Sequence, residues 1–390
     1  MELALLIIGG VSAAVFAHTY FLYPLSMAAL ATLAPRKYRV DVGAAPRLSI
    51  LISARNEERV IERTVRRLLA CDYDREKLEI LVGSDGSTDG TNDHLGRLAE
   101  EFTNVRPFFS EKSRGKAATL NDLATRARGE LIGFCDANTY YSERALRELT
   151  KYYPDERVGG VSGELTLVEG DPDASDGSQE LRYWDLECRL KNFEGKVGAL
   201  VGANGGIYWV RRELYVPFPP DRLVNDDFFQ AVKVLEAGKD FVYEPLASGV
   251  EDAAPTISAE YRRKTRIQER NFDALPAMWG ALNPARGVKA YAFFSHKILR
   301  WVSPFFLATF VAATWLAAAF YGDWYWLAAG ATGGALALSA LGWALNKLGA
   351  RVGILLAGYY FFMTNVAFVV GAFRALFGKR VATWEPTERR

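Results

Sequence analysis

Cysteine and histidine are scarce, three of each in 390 residues. Cys71, Cys135 and Cys188 are odd in number and widely spaced, which excludes a disulfide-stapled secreted domain and predicts buried thiols in a reducing compartment. His18, His94 and His296 are too scattered for a metal cluster. Neither sign of charge is in excess, with 47 basic and 46 acidic side chains, and a nucleic-acid partner is excluded for want of a basic surplus. No G-x-G-x-x-G follows the first strand-like run and no G-x-x-x-x-G-K-[ST] occurs, so a dinucleotide dehydrogenase and a P-loop motor are both disfavoured. The chain also lacks a repeat period and a long low-complexity linker.

Charge is missing at both ends. Residues 1–35 carry only Glu2, and residues 301–373 carry only Asp323, Lys347 and Arg351. The charge-rich middle is long enough to bury a sizeable core. Residues 3–35 predict one membrane span plus an interfacial turn. The basic cluster Arg36, Lys37 and Arg39 comes after that run and places the chain beyond it on the cytoplasmic side. Runs 301–322, 324–346 and 352–373 are each long enough to cross a bilayer. If all three crossed, the tail with Arg374, Lys379, Arg380, Arg389 and Arg390 would end outside, against the positive-inside rule. One of the three is therefore expected to be re-entrant or interfacial, with nothing in the sequence to say which. The stretch 284–301 mixes Arg286, Lys289, Lys297 and Arg300 with Tyr291, Phe293, Phe294 and Ile298, the composition of a helix lying in the headgroup plane.

Within the middle, apolar runs 48–52, 78–82, 105–109 and 131–135 read as strands, and 57–70, 92–102, 116–127 and 142–152 as amphipathic helices. This βαβα order predicts an α/β domain with a mostly parallel, doubly wound sheet and ligands at the carboxyl ends of its strands. Polar and acidic residues gather at those ends: Ser53 to Glu58, Ser84 to Thr91, and Asp136-Ala137-Asn138. Any one of them reads as an ordinary capped turn. Three at successive strand ends point to a site.

These segments, with Gly115-Lys116-Ala117 and Asn225-Asp226-Asp227, resemble the inverting family 2 glycosyltransferases. With the flanking apolar blocks, the whole chain is similar to the membrane-embedded branch of that family, which includes hyaluronan, chitin-oligosaccharide, cellulose and poly-N-acetylglucosamine synthases. The resemblance implies a GT-A, Rossmann-like fold. It implies a transmembrane segment (1–35), a cytoplasmic glycosyltransferase domain (36–283), an interfacial helix (284–300), membrane helices (301–373) and a basic cytoplasmic tail (374–390), in a bacterial-type inner or plasma membrane.

The same resemblance assigns roles. Ala54, Arg55, Glu57 and Asp85 would contact the uridine of a UDP-sugar, and Lys116 its base or diphosphate. Asp136 and Asn138 would hold a divalent cation, Mg2+ or Mn2+; Asn138 stands where the family has a second aspartate, and its amide brings no charge. Glu251 is a reserve ligand. Asp227 would be the general base, with Asp226 raising its pKa by like-charge proximity. Gly202, Asn204 and Gly205, with Trp384 of the tail, fall on the acceptor side. Arg263 and Arg266 would face the diphosphate, although Arg263-x-x-Arg266-Ile267 lacks the glutamine and tryptophan usual in processive members. The expected activity is inverting transfer onto a growing glycan. The alternatives are a single transfer onto a lipid-linked acceptor and, from another class, a non-catalytic membrane-anchored scaffold.

Overall fold

The computed structural model describes residues 1–168, 177–252, 257–322, 324–348, 350 and 352–378. Residues 169–176 and Trp384 lie outside the described residues.

The strands are β1 (Leu48–Ala54), β2 (Leu78–Asp85), β3 (Val105–Ser110), β4 (Leu131–Phe134), β5 (Tyr140–Tyr141), β6 (Val158–Val168), β7 (Tyr208–Arg211) and β8 (Asp240–Asp252). They form one sheet in the order β3-β2-β1-β4-β7-β6-β8-β5. Pairs β1/β2, β1/β4, β2/β3 and β6/β8 are parallel, whereas β7 is antiparallel to β4 and β6, and β5 to β8. The fold is thus the mostly parallel α/β sheet expected.

Strands β1, β2 and β4 are buried on both faces, which is why they read as continuous apolar runs. Side-chain alternation sorts Leu51, Leu81, Ile132 and Phe134 into one core, and Ile50, Ile52, Ile80 and Val82 into the other. The helices α3 (Ile61–Leu69), α4 (Thr91–Glu101), α5 (Lys116–Arg126) and α6 (Ala145–Thr150) connect the first strands. In α3, Ile61, Val65, Leu68 and Leu69 are buried at helical spacing while Glu62 and Arg66 face water. Further on lie α7 (Gly177–Lys196), α8 (Asp226–Glu236) and α9 (Ile257–Ala274).

The apolar ends form their own layer. Helix α1 (Glu2–Ala17) continues through a π-helical stretch, His18–Leu22, into α2 (Tyr23–Leu33). The α2 half docks on the domain, burying Tyr23, Met27 and Ala31. The stretch expected to lie in the headgroup plane begins with a short 3₁₀ turn, Pro284–Arg286. Helix α10 (Val288–Ala292) and a second π stretch, Phe293–Leu299, then run without a break into α11 (Arg300–Tyr321). Helices α12 (Tyr325–Lys347) and α13 (Gly353–Phe377) complete the layer. Among the described residues, four helical stretches are long and apolar enough to cross a membrane: Glu2–Leu33, Val288–Tyr321, Tyr325–Lys347 and Gly353–Phe377.

They are not arranged alike. The far ends of α1, α11 and α12 meet, with Tyr325 donating to Glu2 at 2.9 Å and Leu5 packed beside Tyr321 and Tyr325. Helix α13 crosses the opposite ends of all three. Leu355 lies against Gly342 of α12, the Phe361 ring is 6.2 Å from Phe16 of α1, and the Phe373 ring is 6.4 Å from Phe305 of α11. Each contact falls about 21–26 Å along its helix from the shared far end, at about 1.5 Å of rise per residue. Helix α13 instead runs alongside α9: Tyr360 faces Glu260 at 3.4 Å, and a Cβ on Gly371 would stand 2.8 Å from the Thr265 carbonyl oxygen.

Candidate active site

The polar strand ends come together. The loops after β1 and β2 clasp each other: Asn56 donates its backbone N–H to Ser87 Oγ at 3.1 Å, and its side-chain oxygen accepts from the Thr88 N–H at 2.8 Å. Asn56 adopts φ 55°, a left-handed conformation that asparagine tolerates better than most residues. Ala54 is buried at the end of β1, Arg55 is half-buried beside it, and Glu57 is buried with its backbone N–H on Thr91 Oγ1 at 2.8 Å.

Asp85, 2% exposed at the end of β2, accepts from Ser113 Oγ at 2.7 Å and from the N–H groups of Arg114 and Gly115 at 2.7 and 2.8 Å. These bonds hold the loop that opens α5. Gly86 permits the close approach: its φ is 69°, and a Cβ there would meet the Ser113 nitrogen at 2.6 Å.

Lys116, the first residue of α5, bridges two carboxylates, Asp136 Oδ1 at 2.7 Å and Asp226 Oδ1 at 2.9 Å. Burial works against its charge, but Asp136 and Asp226 outweigh it and hold the lysine pKa above its ordinary value. Residues 136–138 are not the extended segment that alternation would require: the Thr139 N–H donates to the Asp136 carbonyl at 3.1 Å and closes a turn. Asp136 therefore stays part-exposed while Asn138 is tucked in at 9% exposure. Glu251, on β8, accepts from the Thr139 hydroxyl behind that turn.

Asp226 and Asp227 open α8, where carboxylates favour the helix N-terminus. Burial, then the charge of Asp226, raise the Asp227 pKa to about 6, against the opposing pull of Lys191 and Lys116. Asp227 and Asp136 converge on Gly205: a Cβ there would lie 3.6 Å from Asp227 Oδ2 and 3.7 Å from Asp136 Oδ2. Asn204 turns inward, donating to the Gly163 carbonyl at 2.7 Å and accepting from Lys191 at 2.6 Å, and so pins the glycine segment. Gly202 lies at the other end, beside Lys297.

Helix α9 brings a basic face. Arg263 pairs with Glu260 at 2.6 Å on its own helix. Arg266 has its pKa lowered to about 10 by burial and by Arg270 and Arg263, with Asp136 opposing. Arg270, likewise lowered by burial, feels Asp226 and Asp227. Among the described residues neither Arg266 nor Arg270 has an ion-paired carboxylate. Such crowded cations favour an anion between them. Arg270 and Lys191 were not singled out from sequence. Arg270 left a signal, one helical turn beyond Arg266; Lys191 left none.

No three His, Cys, Asp or Glu side chains among the described residues are grouped to hold an ion by themselves. Asp136 and Asn138 nonetheless fit a cation of the magnesium type, which uses one or two carboxylates and completes its shell with water and substrate phosphates.

A mostly parallel sheet with acidic residues at its strand ends, facing a basic helix, defines an α/β domain with a polar cleft at the carboxyl ends of its strands. Residues 49–215 match glycosyl transferase family 2, and the chain carries a domain of that family. Its fold is the GT-A fold: a mannosyltransferase from Pyrobaculum calidifontis, solved in complex with GDP-Man and Mn2+, superposes with a TM-score of 0.72 at 24% identity, covering 96% of this chain and 100% of that one. A β-monoglucosyldiacylglycerol synthase from a Nostoc species is 31% identical over 182 residues, 46% of this chain and 39% of the relative. A poly-β-1,6-N-acetyl-D-glucosamine synthase from Staphylococcus aureus is 23% identical over 243 residues, 62% of this chain and 58% of the relative. The chain spans about half the length of the curated relatives it matches, 57% and 39% for the first two.

Proposed function

We propose that this chain is a membrane-associated glycosyltransferase that moves a sugar from a UDP-sugar, with inversion, onto an acceptor hydroxyl presented at the bilayer face. The observation that carries the reading is the convergence of Asp227 and Asp136 on Gly205, near the guanidiniums of Arg266 and Arg270, which have no ion-paired carboxylate among the described residues. The nucleotide would lie over the ends of β1 and β2, against Ala54, Arg55, Glu57 and Asp85.

In this reading the acceptor O–H gives its proton to Asp227, a carboxylate ionised at neutral pH yet basic enough, at a pKa of about 6, to take it. The acceptor oxygen bonds to the anomeric carbon from the side opposite the diphosphate. The anomeric C–O bond breaks, and its electron pair leaves with the nucleoside diphosphate. Lys116, Arg266 and Arg270 stabilise the negative charge that gathers there. Asp136 and Asn138 would hold a divalent cation, Mg2+ or Mn2+, whose charge neutralises diphosphate oxygens when bound.

Asp227→Asn is expected to lower nucleoside-diphosphate release by about 10²–10⁴-fold while calorimetric donor binding persists; normal turnover in that variant would sink the assignment. The acceptor is either the end of a growing glycan or a lipid. Helix α9 favours the lipid, because the residue after Arg266 is Ile267, 36% exposed, which offers no aromatic face for a sugar ring.

A further inference from the structure

Two more lysines lie beside the acceptor segment, Lys191 buried and Lys297 part-buried at 17% exposure. Lys191 on α7 is 7% exposed, and its ammonium donates to neutral oxygens, Asn204 Oδ1 at 2.6 Å and the Ala203 carbonyl at 3.4 Å. Lys297, in the π stretch before α11, comes within 3.5 Å of where a Cβ on Gly202 would stand. Its ion-pair partner Glu187 is 3.8 Å away, and that carboxylate is already held by Arg300 at 2.9 Å and His296 at 3.0 Å. Glu194, the other carboxylate nearby, is engaged by His296 at 2.6 Å and by the Tyr23 hydroxyl. Other lysines of equal burial differ. Lys264 and Lys289, each 7% exposed, have carboxylate oxygens at 3.2 and 2.9 Å.

An ammonium withdrawn from water without a hydrogen-bonded counter-ion is costly, and Lys191 and Lys297 also repel each other. A neutral sugar would not relieve that cost. An anion would.

We propose that Lys191 and Lys297 bind the phosphate group of a lipid-linked acceptor, seated at Gly202 where no side chain intervenes. Lys297 lies three residues before the apolar helix α11, so the lipid's chain has a path into the bilayer beside it. Gly202 and Gly205 are three residues apart, at most about 10 Å of chain. A sugar attached to that phosphate can therefore present its hydroxyl to Asp227. The role of the phosphate rests on the glycosyltransferase reading, whereas its binding can be measured without turnover.

The test uses the full chain in phosphatidylcholine nanodiscs, with farnesyl phosphate, farnesol and inorganic phosphate as probes and thermal unfolding as the readout. Farnesyl phosphate is expected to raise the melting temperature and farnesol to leave it unchanged. Lys297→Gln is expected to weaken farnesyl phosphate binding about tenfold, one charge-assisted hydrogen bond, with Lys297→Arg close to wild type. Gly202→Val leaves both lysines in place and fills the seat, so it is expected to weaken binding even if Lys297→Gln fails to fold. Equal binding of inorganic phosphate, lost in the same variants, would keep the site and assign it to a free anion. Absence of any shift, or wild-type binding in both Lys297→Gln and Gly202→Val, overturns the proposal. Donor turnover assayed separately on the wild type tells that failure apart from failure of the glycosyltransferase reading.

Discussion

Asp226 does two jobs with one carboxylate: one oxygen holds Lys116 at 2.9 Å, and its charge lifts the Asp227 pKa. A general base works only when deprotonated, so activity should rise with pH through about 6 and fall below it. Asp226→Asn removes the like charge, so the acid limb of the kcat/KM profile is expected to move to lower pH. An unmoved limb would mean that another group controls it. In the acidic half of this site, Asp85 and Asp136 stood out in the sequence because they follow apolar runs at strand ends, whereas Asp227, which opens α8, was picked out only through the family resemblance. The burial of Asn138 was not legible, because it is set by the bond from the Thr139 N–H to the Asp136 carbonyl, a turn that the residue types alone do not specify. Lys191 was invisible, since its place beside Asn204 depends on packing between α7 and the glycine segment and on no local pattern.

At the scale of elements, α9 carries the arginines proposed to face the diphosphate, and α13 packs along α9. Gly371 is the point of closest fit, where a Cβ would meet Gln268 Cβ at 2.7 Å, the Thr265 carbonyl oxygen at 2.8 Å and the Glu269 nitrogen at 3.0 Å. Two of these atoms are backbone, so any side chain there must displace α9 itself. Gly371→Val is expected to cost about 1–3 kcal/mol and to raise the donor KM, as Arg266 and Arg270 move with their helix. Gly358→Ala, whose Cβ would make only an ordinary contact at 3.5 Å with Ser339, serves as the control and should leave the donor KM unchanged. The first four strands and their helices were readable from hydrophobic period, to within a few residues. Helix α13 was not, because its composition matches that of a spanning helix and its tilt is set by α9. Thr265 and Gln268 of α9, which lie against Gly371, are buried, and so are Thr364 and Asn365 of α13, polar side chains a lipid-facing helix would avoid.

For the whole molecule, a helix laid across the near ends of three others supports a proposed answer to the parity problem posed by the basic tail. With α1, α11 and α12 as spans and α13 at the boundary, residue 378 ends on the same side as the catalytic domain. Cysteines introduced at Gly378 and at Glu76 should therefore react with an impermeant maleimide from one face of a sealed vesicle, and one at Trp324 from the other. Reactivity of Gly378 alongside Trp324 would make α13 a fourth span. The same arrangement bears on how products part. Helix α13 keeps apolar side chains such as Phe373, Leu376 and Phe377 exposed while its opposite side supports the arginines of α9. In the proposed reading, with α13 at the boundary, only the thickness of α13 and α9, about 20–24 Å at 10–12 Å each, separates the reaction from lipid. The spent diphosphate, being charged, would be sorted back to water, and a glycosylated lipid would never have to leave its own solvent.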